Sequence, residues 1–525
     1  MRKKNFVTLV SLNIFLFSFL SSPAHSAGNS WMDETIFSKS SNPTVGVFFD
    51  DRGLFPQTSS ALMARVSRPS DPVPTYYGCS SLSDPKCKDA TQTEFISVLP
   101  VCQDSIDIDC IVGLEVVNQQ GKSFKASFIK KFIENGVNDF PGGQSNRLPQ
   151  GSTPSVWNFS DAPGIDPKQD YLVNFRVLGY KVLPTFNSTT GNEQFKFSAF
   201  DSFISPITYK FGNYLPSELV IGREAGRYRN VQHIATSFQW ANNSQDSIYS
   251  CLAVTTGICA QPANFAPDYS YKLTARLNQS PSGWIHGRLQ NAEVTLNESS
   301  GQYIFTIQGK AVDVPVVGVR ANMGSEPNGL GDWFWRFGED FIYGNNSTIS
   351  TPKVDSDDAF RLIDIWSKQI NDQANNISSR WSARTLSYSG DRTNCLKDKG
   401  TLIGVVATNS MLYSSGPPKF NSQLQTLDYT LASPHLTDDG KVFRGVYELQ
   451  LRSDVARCLY NFTKAPISAS ISIVKEQGST SISTTTISEK NNWLKLGAFN
   501  FTFSKPVVRV KLSQKKTISK KPAKK

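Results

Sequence analysis

The stretch RSDVARCLYNF, Arg452 to Phe462, crowds a serine, an aspartate, two arginines and a cysteine ahead of an alternating run. Those residue types could build a nucleophilic site if Cys458 were a thiolate with a base beside it. Histidine, the usual base, is scarce: beyond the leader only His233, His286 and His435 occur, each alone, with no H-E-x-x-H. In WIHGRL, strand alternation puts Trp284, His286 and Arg288 on one face, and His286 is expected at the surface. No G-x-S-x-G marks a hydrolase elbow, and the Ser-x-x-Lys matches at Ser127 to Lys130 and Ser350 to Lys353 lack a K-T-G companion. No catalytic residue is assigned.

Acid pairs occur at Asp50/Asp51, Asp107/Asp109 and Asp438/Asp439. A glycosidase needs carboxylates on opposite sides of a bond, which sequence neighbours rarely supply, so these read as turn or edge features. Asp107 and Asp109 could offer oxygens to calcium, but the full loop signature is missing, and no metal or cofactor is expected. Trp333, Trp335 and Tyr343 could form a flat platform for a sugar ring or a partner, a reading that competes with core packing.

Eight cysteines remain: Cys79, Cys87, Cys102, Cys110, Cys251, Cys259, Cys395 and Cys458. CSSLSDPKC, CQDSIDIDC and CLAVTTGIC repeat one spacing, which favours three local disulfides and leaves Cys395 for Cys458; the first four could instead cross-pair. Oxidation would remove Cys458 as a nucleophile. RSDVARCLYNF then reads as a disulfide corner between two sandwich strands, with Ser453 and Asp454 capping a short turn.

Disulfides suit an exported chain, and the N-terminus agrees. Arg2, Lys3 and Lys4 precede an apolar run from Phe6 to Leu20 and small residues near Ser26, the pattern of a signal peptide over residues 1–26. The run is too short and too diluted for an anchor helix, and no later segment reaches membrane-spanning length. The formal charge of +10 has three positive residues in this leader and six lysines from Lys515 onward, leaving the body nearly neutral. That distribution argues against a nucleic-acid partner. The tail 515–525 is expected to be disordered and could meet anionic cell-wall polymers or the envelope surface.

The elements that would position these groups are strands. PISASISIV, AFNFTFS and VVRVKL alternate apolar and polar residues between turn-rich breaks, as do YSYKLTARL and YIFTIQG upstream. TDDGK reads as a hairpin turn with Gly440 at positive φ, and PGGQSNRLPQGSTPS (Pro141 to Ser155) as a long loop or linker. One substantial helix is expected near residues 356–374, with apolar residues at helical spacing behind acids at its start. The expected architecture is mainly β and multidomain, of β-sandwich-like units: an N-terminal β-rich domain at 27–220, a middle one at 221–320, an aromatic and helical segment at 321–394, and a C-terminal β-sandwich at 395–514.

Four blocks resemble a family of exported, uncharacterised actinobacterial proteins: LPVCQDSIDIDCIVGLE, GWIHGRL, RSDVARCLYNF with PISASISI, and EKNNWLKLGAFNFTFS ending in VRVKLSQ. The resemblance implies an exported protein and brings no known activity or site residue. The leading expectation is a secreted or wall-associated, non-enzymatic β protein that mediates surface interaction or binds an extracellular ligand. Alternatives are a secreted hydrolase of glycans or esters using carboxylates brought together by folding, and a self-assembling surface layer.

Overall fold

The computed structural model describes residues 44–50, 59–66, 75–88, 90, 92–105, 107–134, 139–182, 194–212, 251–328, 330, 341–344, 347–350, 352–386, 395, 400–474, 480–482, 484–503 and 507–514. The segment 1–26 expected to be a signal peptide, the lysine tail, His233, Trp333 and Trp335 lie outside the described residues. The chain is mainly β, in several packed sheets.

Alternation becomes burial where it was expected. In the strand Ile467–Val474, Ile467, Ile471 and Ile473 are buried while Ser468 and Ser470 are exposed. In Ser270–Leu277, Tyr271, Leu273, Ala275 and Leu277 are buried. Each such aliphatic side chain contributes about 1.5–3 kcal/mol by leaving water.

Three layers result. The middle layer runs from Asp170–Val182 through Lys196–Phe211, Asn376–Leu386 and Gly283–Arg288, then Leu402–Thr408, Arg444–Arg452 and Trp493–Thr502. Only the step from Gly283–Arg288 to Leu402–Thr408 is parallel. A five-stranded antiparallel sheet covers one face, in the order Gln290–Ser299, Gln302–Lys310, Ser270–Leu277, Cys110–Val117 and Ser123–Lys125. Its Leu273, Phe305 and Ile307 share a core with Ile285, Trp381 and Val405 of the middle layer. A second sheet, with Thr426–Ala432, Val507–Gln514 and Ile467–Val474, covers the other face, where Tyr429, Val510 and Ile471 meet Trp284, Val406 and Leu449. Strand pairing therefore crosses the segment boundaries drawn from the sequence: Cys110–Val117 pairs with Ser270–Leu277, and Gly283–Arg288 with Leu402–Thr408.

The expected helix is shorter than its periodicity suggested. It spans Asp357–Ile365, capped by Ser356, whose Oγ accepts from the Ala359 N–H at 3.1 Å. One further turn, Ser367–Ile370, ends at Asn371 in the left-handed region at φ 52°. Ala359, Leu362 and Ile363 face the same core as Trp284.

RSDVARCLYNF corrects the expectation of a short turn. Ser453–Tyr460 is a helix of 8 residues, nearly as long as the 9-residue one before it. Val455, Ala456 and Tyr460 bury one face, and Asn461 at φ 53° ends it as the Phe462 N–H bonds the Arg457 carbonyl at 2.9 Å. Residues 141–155 form a packed loop rather than a linker. Leu148, Ser152 and Thr153 are buried, and Ser60 Oγ donates to the Ser152 carbonyl at 2.7 Å. The TDDGK turn forms as expected, with Gly440 at φ 79°.

Candidate functional site

The strand register lines up one row across seven strands: Arg176, Asp201, Arg384, His286, Val406, Leu449 and Leu496. Directly paired residues project to the same face of a sheet, so the row is ionic at one end and apolar at the other. At its ionic end, Arg176 grips Asp201 with Nε at 2.8 and 3.0 Å and Nη2 at 2.5 Å, both side chains nearly inaccessible. A planar fork on a carboxylate is the strongest ordinary ion pair, and burial here demands it.

Arg384, next in the row, bonds Asp355 at 2.5 Å and donates to the Tyr413 hydroxyl from Nε (3.1 Å) and Nη2 (2.9 Å). Asp355 immediately precedes the Ser356 cap, so the helix start delivers the counter-charge. His286 stacks on Tyr413, and Arg288, two residues along the same strand face, sits over the same ring at 4.8 Å. The Arg288 guanidinium donates to the carbonyls of Thr408, Ser410 and Met411 at 3.1, 2.5 and 3.3 Å.

His286 is thus buried, not at the surface as expected, although it does share its face with Arg288 as alternation requires. Burial, reinforced by the charges of Arg288 and Arg384, holds its imidazole well below the ordinary range and keeps it neutral at neutral pH. Its Nε2 makes no hydrogen bond among the described residues. A neutral imidazole could act as a base, but its face is covered by Tyr413 and its flanks by arginines already engaged. Chemically, the cluster holds charge in a fixed internal arrangement. A cavity of about 20 Å³, room for about one water, lies near Phe197, Leu277, Pro281 and Thr385.

The other sequence candidates are dispersed. All eight cysteines are oxidised: Cys79–Cys87, Cys102–Cys110, Cys251–Cys259 and Cys395–Cys458, which is the local pairing favoured by the spacing. Cys458 is therefore no nucleophile; Arg452 pairs with Asp454 at 2.6 Å and Arg457 with Glu489 at 2.6 Å. Tyr343 lies in the strand Phe341–Gly344, in register with Thr348. Asp50 is buried and paired with Arg380. Asp107 and Asp109 point to different partners, and no group of three metal-ligating side chains occurs among the described residues. Asp438 and Asp439 sit in the exposed hairpin turn, where Lys441 bonds Asp439 at 2.5 Å.

Sequence reasoning missed Arg176, Asp201, Arg384, Asp355 and Tyr413 as a group. A signal was present: YLVNFRVL and SAFDSFISPI each carry one charge inside an otherwise apolar run, and such a charge needs a partner. No protein-family model matches the chain, and no curated protein matches it. No helix among the described residues is long and apolar enough to cross a membrane, and the four disulfides suit an oxidising compartment.

Proposed function

We propose that the chain is a secreted or cell-wall-associated, non-enzymatic β protein that binds an extracellular ligand or partner surface. The observation that carries this reading is the fate of its two most reactive candidates: Cys458 is locked to Cys395, and His286 is sealed against Tyr413 between arginines. The disulfide-clipped layers supply a stiff scaffold of the kind on which binding loops are displayed. Membership of the exported actinobacterial family, removal of residues 1–26, and contact of the lysine tail with anionic wall polymers belong to the same proposal.

The test uses the purified exported chain with and without residues 515–525, incubated with isolated cell envelopes. Retention that needs the tail and weakens with salt supports the proposal. Equal retention of the shortened chain removes the tail from it. Turnover in a broad screen of glycan and ester substrates would replace the binding role with an enzymatic one.

A further inference from the structure

The short strands Ser123–Lys125 and Ser127–Lys131 follow one another along an edge of the molecule. The first ends the five-stranded sheet, paired with Cys110–Val117, and the second pairs with Ser155–Asn158 at the margin of the middle layer. The chain crosses between the layers at Ala126, whose N–H bonds the Leu114 carbonyl at 2.8 Å. Among the described residues neither strand has a second neighbour, so both layers end here in an open edge.

The edge is basic. Residues 116–133 hold Lys122, Lys125, Lys130 and Lys131 and no acid, in a body whose net charge is nearly zero. Lys122, Lys125 and Lys130 are exposed, while Lys131 lies 4.0 Å from Asp139. Glu115, opposite Lys125 in register, is already bonded by Ser123 and Lys272. Lysines on an open edge discourage wrong strand pairing, which accounts for the charge. It does not account for Phe128 and Ile129, which are 39% and 51% exposed. Regular alternation would turn one of these two neighbours inward, but the register with Ser155–Asn158 slips between Phe128 and Lys130 and leaves Ile129 as the extra residue. Phe128 meets Trp157 edge-on at 5.7 Å, and Lys122 Nζ sits 4.9 Å from the centre of the Phe124 ring.

We propose that this edge docks on an anionic lipid surface, with Phe128 and Ile129 entering the boundary between headgroups and acyl chains while Lys122, Lys125 and Lys130 meet lipid phosphates. An apolar pair set among lysines matches that boundary twice, because apolar area leaves water and the positive charge is balanced. A soluble polyanion would balance the lysines and leave the apolar pair in water. A second copy pairing along the same edge would bring two sets of four lysines into one interface, which like-charge repulsion opposes.

Cosedimentation with vesicles tests this, on the full chain with its six tail lysines changed to serine so that the tail does not contribute. Vesicles of phosphatidylcholine with about 40% phosphatidylglycerol should retain the chain, and phosphatidylcholine alone should not. Phe128→Ser with Ile129→Ser should weaken retention roughly tenfold or more, and Lys122→Ser, Lys125→Ser and Lys130→Ser together on the order of a hundredfold. Ile129→Ser alone, which leaves Phe128 against Trp157, should still weaken it about threefold or more. Equal retention by both kinds of vesicle, or by neither, overturns the proposal without any variant. Retention that both serine variants at Phe128 and Ile129 leave unchanged reduces the contact to charge alone, as a soluble polyanion would give, and overturns it as well.

Discussion

His286 lies flat on Tyr413, with ring centroids 3.6 Å apart and planes 4° from parallel. Because the folded protein keeps this imidazole neutral, only the unfolded chain takes up its proton as pH falls below about 6.5. The contribution of His286 is full above that value and is lost on acidification, by up to about 1.4 kcal/mol per pH unit. Asp109, whose carboxyl burial pushes up to about 7, slopes the opposite way between about pH 4 and about pH 7, so the two offset each other in the wild-type chain. Urea unfolding across this range should show His286→Phe, which keeps a ring on Tyr413, gaining stability on acidification relative to wild type. Parallel pH profiles for the two proteins would contradict the assignment.

Arg176 and Asp201 form a buried ion pair across adjacent strands. Asp201→Ala leaves a buried guanidinium without its carboxylate and should cost about 3–5 kcal/mol in denaturant unfolding. Replacing both, as Arg176→Met with Asp201→Leu, should recover most of that loss. A double variant as unstable as the sum of the singles would mean that the pair is not energetically coupled.

Glu448 stitches the middle layer to the five-stranded sheet. Its carboxylate accepts the N–H groups of Asn291 at 2.7 Å and Ala292 at 3.0 Å, while Gln450 donates to the Ala292 carbonyl. Glu448→Ala leaves the buried Ala292 N–H and the part-buried Asn291 N–H unmatched and should destabilise by about 1–3 kcal/mol. Glu448→Gln, which keeps one acceptor oxygen, should fall between that variant and wild type in thermal unfolding. Equal loss in the two variants would show that the side chain's charge rather than its acceptor geometry holds the sheets together.

The disulfides differ in reach. Cys395–Cys458 joins residues 63 apart, Cys79–Cys87 residues 8 apart. On chain entropy, the first contributes about 4.3 kcal/mol and the second about 2.6 kcal/mol. Paired Cys→Ser variants should therefore lose more thermal stability at 395/458 than at 79/87; the reverse order would point to native packing rather than chain closure as the main term.

Local pattern carried the strands and the cysteine pairs, because alternation over eight residues and a recurring short gap are complete within their own segments. Alternation also placed Trp284, His286 and Arg288 on one face. It was silent on whether that face is covered, since the cover comes from Tyr413, Tyr429 and Val510, far along the chain. The helix Ser453–Tyr460 was masked by its cysteine, which drew attention as a disulfide corner while Val455, Ala456 and Tyr460 already marked a buried side. The ionic row could not be assembled from sequence at all. Arg176, Asp201, Arg384 and His286 come from four strands, and register between distant strands is a property of the fold.

The parallel step between Gly283–Arg288 and Leu402–Thr408 also sets an order of events for an emerging polypeptide. The middle layer cannot close until a strand more than a hundred residues downstream has been made, and Thr44–Phe49 likewise waits for Val312–Asn322. Such distant pairings fold slowly, because loop closure precedes the contacts that reward it. A chain built this way leaves the edges of its middle layer unpaired until its last few dozen residues have been made.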